Sequence, residues 1–227
     1  IVLFDGNPLF PKPQRLFDIA EQNNLTFLGV SAKYIDSMRK LSLQPKTTHA
    51  LKSLRTMAST GSPLSHEGFE YVYQSISPNI HLASISGGTD ICGCFMLGVP
   101  NLPVFAGQIQ GPALGLDVQV FTEDGKAAAV GVKGELVCRN AFPSVPVYFW
   151  DDPDGDKFRS AYFERFAGVW THGDFVEVTA EGGYVMHGRS DATLNAGGVR
   201  IGTAEIYRIT EEFAEIVESL AIAQNWD

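Results

Sequence analysis

The feature that most constrains this chain is a repeated switch of apolar period along its first ninety or so residues. Four short apolar runs stand out: IVLF (1–4), LTFLGV (25–30), LRTMAS (54–59) and IHLAS (80–84). Each is short enough for a strand, and between them apolar residues recur every three or four positions, the period of a helix. Leu16, Phe17, Ile19 and Ala20 mark a helix from Pro13 to about Asn23. Tyr34, Ile35, Met38 and Leu41 mark one from Ala32 to Leu41, and Phe69, Val72, Tyr73 and Ile76 a third behind Ser65, an N-cap residue. Strands alternating with helices across short connections predict an α/β fold with a doubly wound, mostly parallel sheet. Ligands of such sheets bind beyond the carboxyl ends of the strands. Two stretches fall there, STGSPLS (59–65) and SISGGTD (84–90), and both are expected at the same edge of the sheet.

Past residue 100 the texture changes. GLDVQVFTEDGK (115–126) and GELVCRN (134–140) alternate around Gly and Asp-Gly turns, the pattern of a small antiparallel β subdomain. A short helix is expected over 158–166 and a hairpin over 173–189. A glycine-rich stretch, LNAGGVRIG (194–202), then leads to a helix over 204–217 and a strand over 219–226, the start of a small α+β C-terminal domain. The expected division is therefore 1–100, 101–190 and 191–227. Ile1 falls inside an apparent strand with no Met before it, so the chain reads as a piece of a longer protein.

Composition narrows the function. Of 227 residues 44% are hydrophobic and 19% charged, enough apolar material for a core. A net charge of −9 argues against nucleic acid as a partner, since phosphate affinity needs a basic surface. Small anions remain possible ligands, because local arginines and backbone N–H groups hold them in acidic proteins. No apolar run approaches the roughly 18 residues of a membrane span. Three cysteines in no framework spacing, and no leader-like segment, suggest a reduced, cytoplasmic setting. Cys92 and Cys94 are expected to be buried packing residues.

Four segments carry oxygen- or nitrogen-bearing side chains where chemistry could use them. In GSP, Gly61 lets the backbone approach a flat ring or a phosphate, although a turn with a helix cap explains the same residues. In GGTD, after Gly87 and Gly88, the Thr89 hydroxyl can donate to a phosphoryl oxygen and Asp90 can ligate magnesium, a cation that prefers oxygen. In THGD (171–174), Asp174 can accept both hydroxyls of a ribose, or be an ordinary turn aspartate. In GRSDATLNAGGVR (188–200), Arg189 and Arg200 bracket a loop holding Asp191, Asn195, Gly197 and Gly198; arginine suits phosphate and carboxylate, and a solvated loop is the plainer reading. The chain lacks the phosphate-loop, dinucleotide and nucleophile-elbow glycine patterns.

The order GSP, GGTD, HGD, GRSD…GGVR resembles the adenylate-forming superfamily of acyl-CoA synthetases, adenylation domains and firefly-type luciferases. Within it, SISGGTD, GELVC, HGDF, GRSDATLN and GVRIGTAEIY are similar to the acetoacetyl-CoA synthetase family, over essentially all 227 residues. The resemblance implies ATP-dependent activation of acetoacetate to an acyl-adenylate, followed by transfer to coenzyme A, with Mg2+ on the nucleotide. It implies that Gly61, Ser62 and Pro63 line the adenine, that Thr89 touches the α-phosphate and that Asp90 holds magnesium. Asp174 would bind the ribose hydroxyls, Arg189 ribose and phosphate, and Arg200 the phosphate side. Asp191 would be a hinge and Gly198 would lie by the thiol tunnel. Gly87 aligns with an aromatic residue of acetate-using relatives, so Gly87 and Gly88 are expected to enlarge the acyl pocket. The usual Thr-Glu of the motif is Thr-Asp here, one methylene shorter. The family's phosphate-binding loop would lie before Ile1 and its adenylation lysine after Asp227, so this stretch alone is expected to be nearly inactive. A synthetase for another short-chain or β-keto acid, or a non-catalytic nucleotide-binding module, are the alternatives; no membrane partner is implied.

Overall fold

A computed structural model of the chain describes residues 1–190, 194–196, 199–210, 213, 215, 216 and 218–222. It separates into two compact units, Ile1–Ser84 and Ile85–Asp227.

The first unit carries the strand–helix alternation. Helix α1 (Arg15–Gln22) leads to β1 (Phe27–Ser31), α2 (Ala32–Lys40), the short α3 (Pro45–Thr48), β2 (Thr56–Thr60), α4 (His66–Tyr71) and β3 (His81–Ser84). The strands form a parallel sheet in the order β1-β2-β3, with Val30 opposite Ser59 and Ser59 opposite Ser84. The carboxyl ends of β2 and β3 are thus level, as the alternation requires. Phe17, Ile35, Met38, Met57, Phe69, Ile76 and Leu82 fill the core. They are the residues that the helical and strand periods place inward.

Local signals set the helix ends. Ser31 Oγ accepts from Tyr34 N at the start of α2, and Ser65 Oγ accepts from Gly68 N at 3.1 Å at the start of α4. Ser65→Ala is expected to cost about 1 kcal/mol, the usual worth of such a cap, read as a lower urea midpoint with an unchanged slope. α4 continues into a π-helical turn, Val72–Ile76, which turns Val72 and Ile76 into the core. Leu41, read as the fourth member of the α2 stripe, instead caps the helix and is exposed. Ile1–Phe4 is not a strand; its apolar residues lie exposed and pair with no ladder among the described residues.

The second unit is mostly antiparallel. A three-stranded sheet joins β4 (Ser86–Gly88), β5 (Gly93–Leu97) and β6 (Gly111–Pro112). A four-stranded sheet runs β10-β9-β8-β7, from β7 (Val118–Phe121), β8 (Gly134–Cys138), β9 (Trp170–Val178) and β10 (Tyr184–Arg189). Ile91, Phe95, Met96, Val120, Leu136, Phe142, Trp170 and Val176 make one core beneath them.

Helix α5 (Asp156–Tyr162) starts and stops earlier than the apolar pattern suggests. The early start follows from Asp152, whose carboxylate accepts from Lys157 N at 3.0 Å and Phe158 N at 2.9 Å and so satisfies first-turn donors. Within the glycine-rich stretch, β11 (Leu194–Ala196) pairs antiparallel with β12 (Val199–Ile201), Asn195 opposite Arg200. Helix α6 (Thr203–Thr210) is shorter than expected, and residues 218–222 form no strand. No helix among the described residues is long and apolar enough to cross a membrane.

Candidate nucleotide site

Two adjoining strands and one tight turn build the site in the second unit. GGTD is a hairpin: β4 ends at Gly88, Thr89 and Asp90 lie exposed in the turn, and β5 returns from Gly93. The hairpin needs Gly87 for a steric reason. A Cβ there would stand 2.0 Å from the Gly93 carbonyl oxygen and 2.6 Å from Cys94 Cα, both backbone atoms that cannot yield. The position therefore abuts the facing strand, whose backbone leaves no room for a side chain. Gly88 is different: a Cβ there would meet the His172 ring, 2.8 Å from Cε1.

THGD is not a turn. It lies inside β9, where Gly173 adopts φ +82 and interrupts the regular register opposite β8. That kink has a use. A Cβ on Gly173 would come within 2.5 Å of Arg189 Nη2, so the glycine leaves room for the guanidinium. Arg189, opposite Asp174 in the ladder, donates to the His172 carbonyl oxygen at 3.0 Å and lies 3.4 Å from Asp174 Oδ1. Ser86 Oγ donates to Asp174 Oδ2 at 3.2 Å. Asp174 is 6% exposed, whereas half the Arg189 side chain reaches solvent.

Burial pushes the Asp174 carboxyl above the ordinary aspartate range, against the pull of His172, Arg189 and Ser86. Burial pushes His172 the other way, so its imidazole is neutral at neutral pH. Its Nδ1 accepts from Trp170 Nε1 at 3.5 Å, its ring packs edge-on against Phe95 at 4.7 Å, and its Nε2 lies 3.7 Å from Asp174 Oδ2.

Beneath this pair, Glu135 is 1% exposed. It accepts from Gly173 N at 2.8 Å and from the Arg165 guanidinium, and so fixes the kink from below. Its carboxyl too is raised by burial, opposed by Ser190, Arg165 and the Gly173 amide.

At the other end, the Tyr162 hydroxyl donates to Asp90 Oδ2. The Tyr162 ring stacks on Trp170, centroids 3.7 Å apart and planes 13° apart. Burial, with Asp90 beside it, holds the phenol above its usual range and therefore protonated.

Among the described residues no group of three or more His, Cys, Asp or Glu side chains forms a metal cage. Asp90 still fits magnesium of one kind, with the Thr89 hydroxyl beside it for the phosphate. A single exposed carboxylate suits an ion that arrives on a nucleotide, whose phosphates and waters complete an octahedral oxygen shell.

The structure thus brings Gly87, Gly88, Asp90, Asp174 and Arg189 onto neighbouring strands and one turn of the second unit. Gly61 sits just past β2 with φ +86, and Ser62 and Pro63 are exposed after it, all in the first unit. Arg200 takes its place in β12; Asp191 and Gly198 lie outside the described residues. Cys92 is exposed with φ +48 at the hairpin tip and Cys94 is half-buried, so Cys138 alone is the buried packing cysteine.

Sequence reading missed Ser86, Glu135, Tyr162, Arg165 and His172 as parts of the site. Ser86 and His172 stand inside the motifs quoted for it and could have been found there. Glu135 likewise stands inside the quoted GELVC, whereas Tyr162 and Arg165 have no local signal. A buried acidic acceptor, a half-exposed guanidinium beside it and a glycine-bounded turn carrying a hydroxyl suit a ligand with paired hydroxyls and an anionic group.

The acetoacetyl-coenzyme A synthetase of Rhizobium meliloti (strain 1021) is 59% identical over 227 residues, 100% of this chain and 35% of that protein. The acetoacetyl-CoA synthetase of Mus musculus is 46% identical over 225 residues, 99% of this chain and 33% of that protein. The solved acetoacetyl-CoA synthetase from Streptomyces lividans superposes with a TM-score of 0.88 at 42% identity, over 96% of this chain and 34% of that one. The chain therefore spans about a third of the length of the relatives it matches. The family model described as AMP-binding enzyme matches residues 1–145. With that match over more than half of the chain, and with the α/β fold, the chain belongs to the AMP-binding enzyme family.

Proposed function

We propose that the protein carrying this chain is an AMP-forming acetoacetate–CoA ligase. The observation that carries the reading is the buried Asp174, held by Ser86 and Arg189 on the strand beside the Gly87–Asp90 hairpin. The whole-chain similarity to proteins named acetoacetyl-CoA synthetase selects the acid.

In the first half-reaction an acetoacetate oxygen attacks the α-phosphorus of ATP. The new O–P bond forms as the bond to the β-phosphate bridge breaks, and pyrophosphate leaves. In the second, the coenzyme A sulfur attacks the acyl carbon, the thiol proton is lost, and AMP departs with the electron pair of the broken C–O bond. The protein's part is orientation and charge stabilisation at a crowded phosphorus.

Asp174 accepts the ribose hydroxyls; its two buried oxygens are already oriented by Ser86 and Arg189. Arg189 reaches the ribose and the phosphates with the half of its side chain that is exposed. The Thr89 hydroxyl donates to an α-phosphate oxygen, and Gly61, Ser62 and Pro63 line the adenine. Asp90 holds magnesium, which when bound neutralises phosphate charge. Arg200 serves the phosphate side, Asp191 is the hinge and Gly198 borders the path of the thiol. Residues 1–100 and 101–190 form parts of one large domain, and 191–227 begin the small one that moves.

The test is pyrophosphate release by the full-length protein with Mg-ATP and acetate, propionate, butyrate or acetoacetate. Acetoacetate is expected to give the highest kcat/KM. Preference for another acid would keep the adenylation chemistry and discard the substrate. No release with any acid would leave a nucleotide-binding module.

A further inference from the structure

Asp90 stands in an exposed turn, with a side chain one methylene shorter than glutamate and few neighbours of its own to orient it. Its one described hydrogen-bond donor comes from far along the chain, the Tyr162 hydroxyl at the end of α5. That hydroxyl is on a ring with little freedom. Tyr162 is 7% exposed, stacked on Trp170 at 3.7 Å, and edge-on to Phe149 at 5.8 Å and Phe158 at 5.6 Å. Trp170 is in turn 2% exposed and packs against Phe142 and Phe163.

We propose that Tyr162 is a positioning residue that aims the Asp90 carboxylate at the magnesium accompanying the nucleotide. This rests on the adenylate-forming reading above. The phenol engages Oδ2 and leaves Oδ1 as the oxygen offered to a hard cation. A free aspartate on a turn spreads over several rotamers, and binding must select one of them. A donor fixed on the aromatic core makes that selection beforehand. The aromatic stack of Tyr162 and Trp170 thus acts on the nucleotide site without touching the nucleotide.

The experiment measures binding of a non-hydrolysable ATP analogue by the full-length protein, once with Mg2+ and once in EDTA. Tyr162→Phe keeps the ring and its stack and removes only the hydroxyl. It is expected to raise the Kd with Mg2+ about tenfold, as befits one hydrogen bond to a charged group, and to leave the Kd in EDTA unchanged. In an Asp90→Glu background, whose carboxylate reaches past the hydroxyl, the same change should alter the Mg2+ Kd by less than about twofold, because the two side chains are no longer coupled. Equal weakening with and without Mg2+ would mean that Tyr162 only supports the fold, and would overturn the proposal. So would an unchanged Mg2+ Kd, or an undiminished effect in the Asp90→Glu background. A wild type that binds no nucleotide would overturn the adenylate-forming reading itself, and this role with it.

Discussion

Asp174→Ala is expected to weaken nucleotide binding by roughly two orders of magnitude while leaving the protein folded. Two hydrogen bonds from ribose hydroxyls to a carboxylate are worth about 1.5 kcal/mol each at the low end, and every 1.4 kcal/mol is about tenfold. The loss should appear as a raised KM for Mg-ATP, with the KM for acetoacetate little changed. Asp174→Asn gives the more informative contrast. Burial raises the folded-state pKa of this carboxyl above its unfolded value. Such a group adds stability below the unfolded pKa and loses it as pH rises through the folded one. At neutral pH the buried charge therefore works against folding. Asparagine keeps an acceptor for Ser86 and carries no charge, so it should be more stable than wild type by about 1 kcal/mol at pH 7, a few degrees in Tm. The difference should shrink as pH falls through the raised pKa toward the ordinary aspartate value. Thermal melts between pH 4 and 8 check this. An Asn variant less stable than wild type at pH 7 would mean that the Arg189 contact outweighs the burial of the charge.

The second large effect is at Gly87. Gly87→Ala should destabilise the second unit by about 3 kcal/mol, the upper range for overpacking, because the added Cβ meets backbone on the facing strand rather than a movable side chain. The β4–β5 hairpin must part to admit it, and Thr89 and Asp90 ride on that hairpin. Activity should fall with every acid alike. Gly87→Trp, which the comparison with acetate-using relatives suggests as a switch toward acetate, should lose the hairpin instead of changing the preference. Urea unfolding and the acid panel test both points. A Gly87→Ala protein with the wild-type urea midpoint, or a Trp variant active on acetate, would show that the hairpin yields and would return the acyl-pocket argument. Gly88→Ala should be milder, since its neighbour is the His172 ring, which can shift.

Much of the molecule follows from its residues in order. The strand and helix periods of the first eighty-four residues determine three parallel strands and the helices between them, because burial on one face imposes a period that any reader of the chain can count. The antiparallel run from β7 to β10 is legible for the same reason, with turns marked by Gly and Asp. The motif residues Gly87, Gly88, Asp90, Asp174 and Arg189 are legible because their spacing is that of a known family. The ladder of β11 and β12 was not legible because each strand is only three residues long and the pair of glycines in the sequence between them reads as a loop. The early start of α5 was hidden because its capping carboxylate, Asp152, lies outside the usual N-cap position.

Tertiary structure decided the rest, because contacts between distant residues leave no local period. Glu135 reaches the Gly173 amide on the neighbouring strand across 38 residues of chain, and Tyr162 reaches Asp90 across 72. Whether a glycine serves a ligand or a neighbouring strand depends on what a Cβ would strike. For Gly87 that is the Gly93 backbone, for Gly173 the Arg189 guanidinium, and only the folded arrangement tells the two apart.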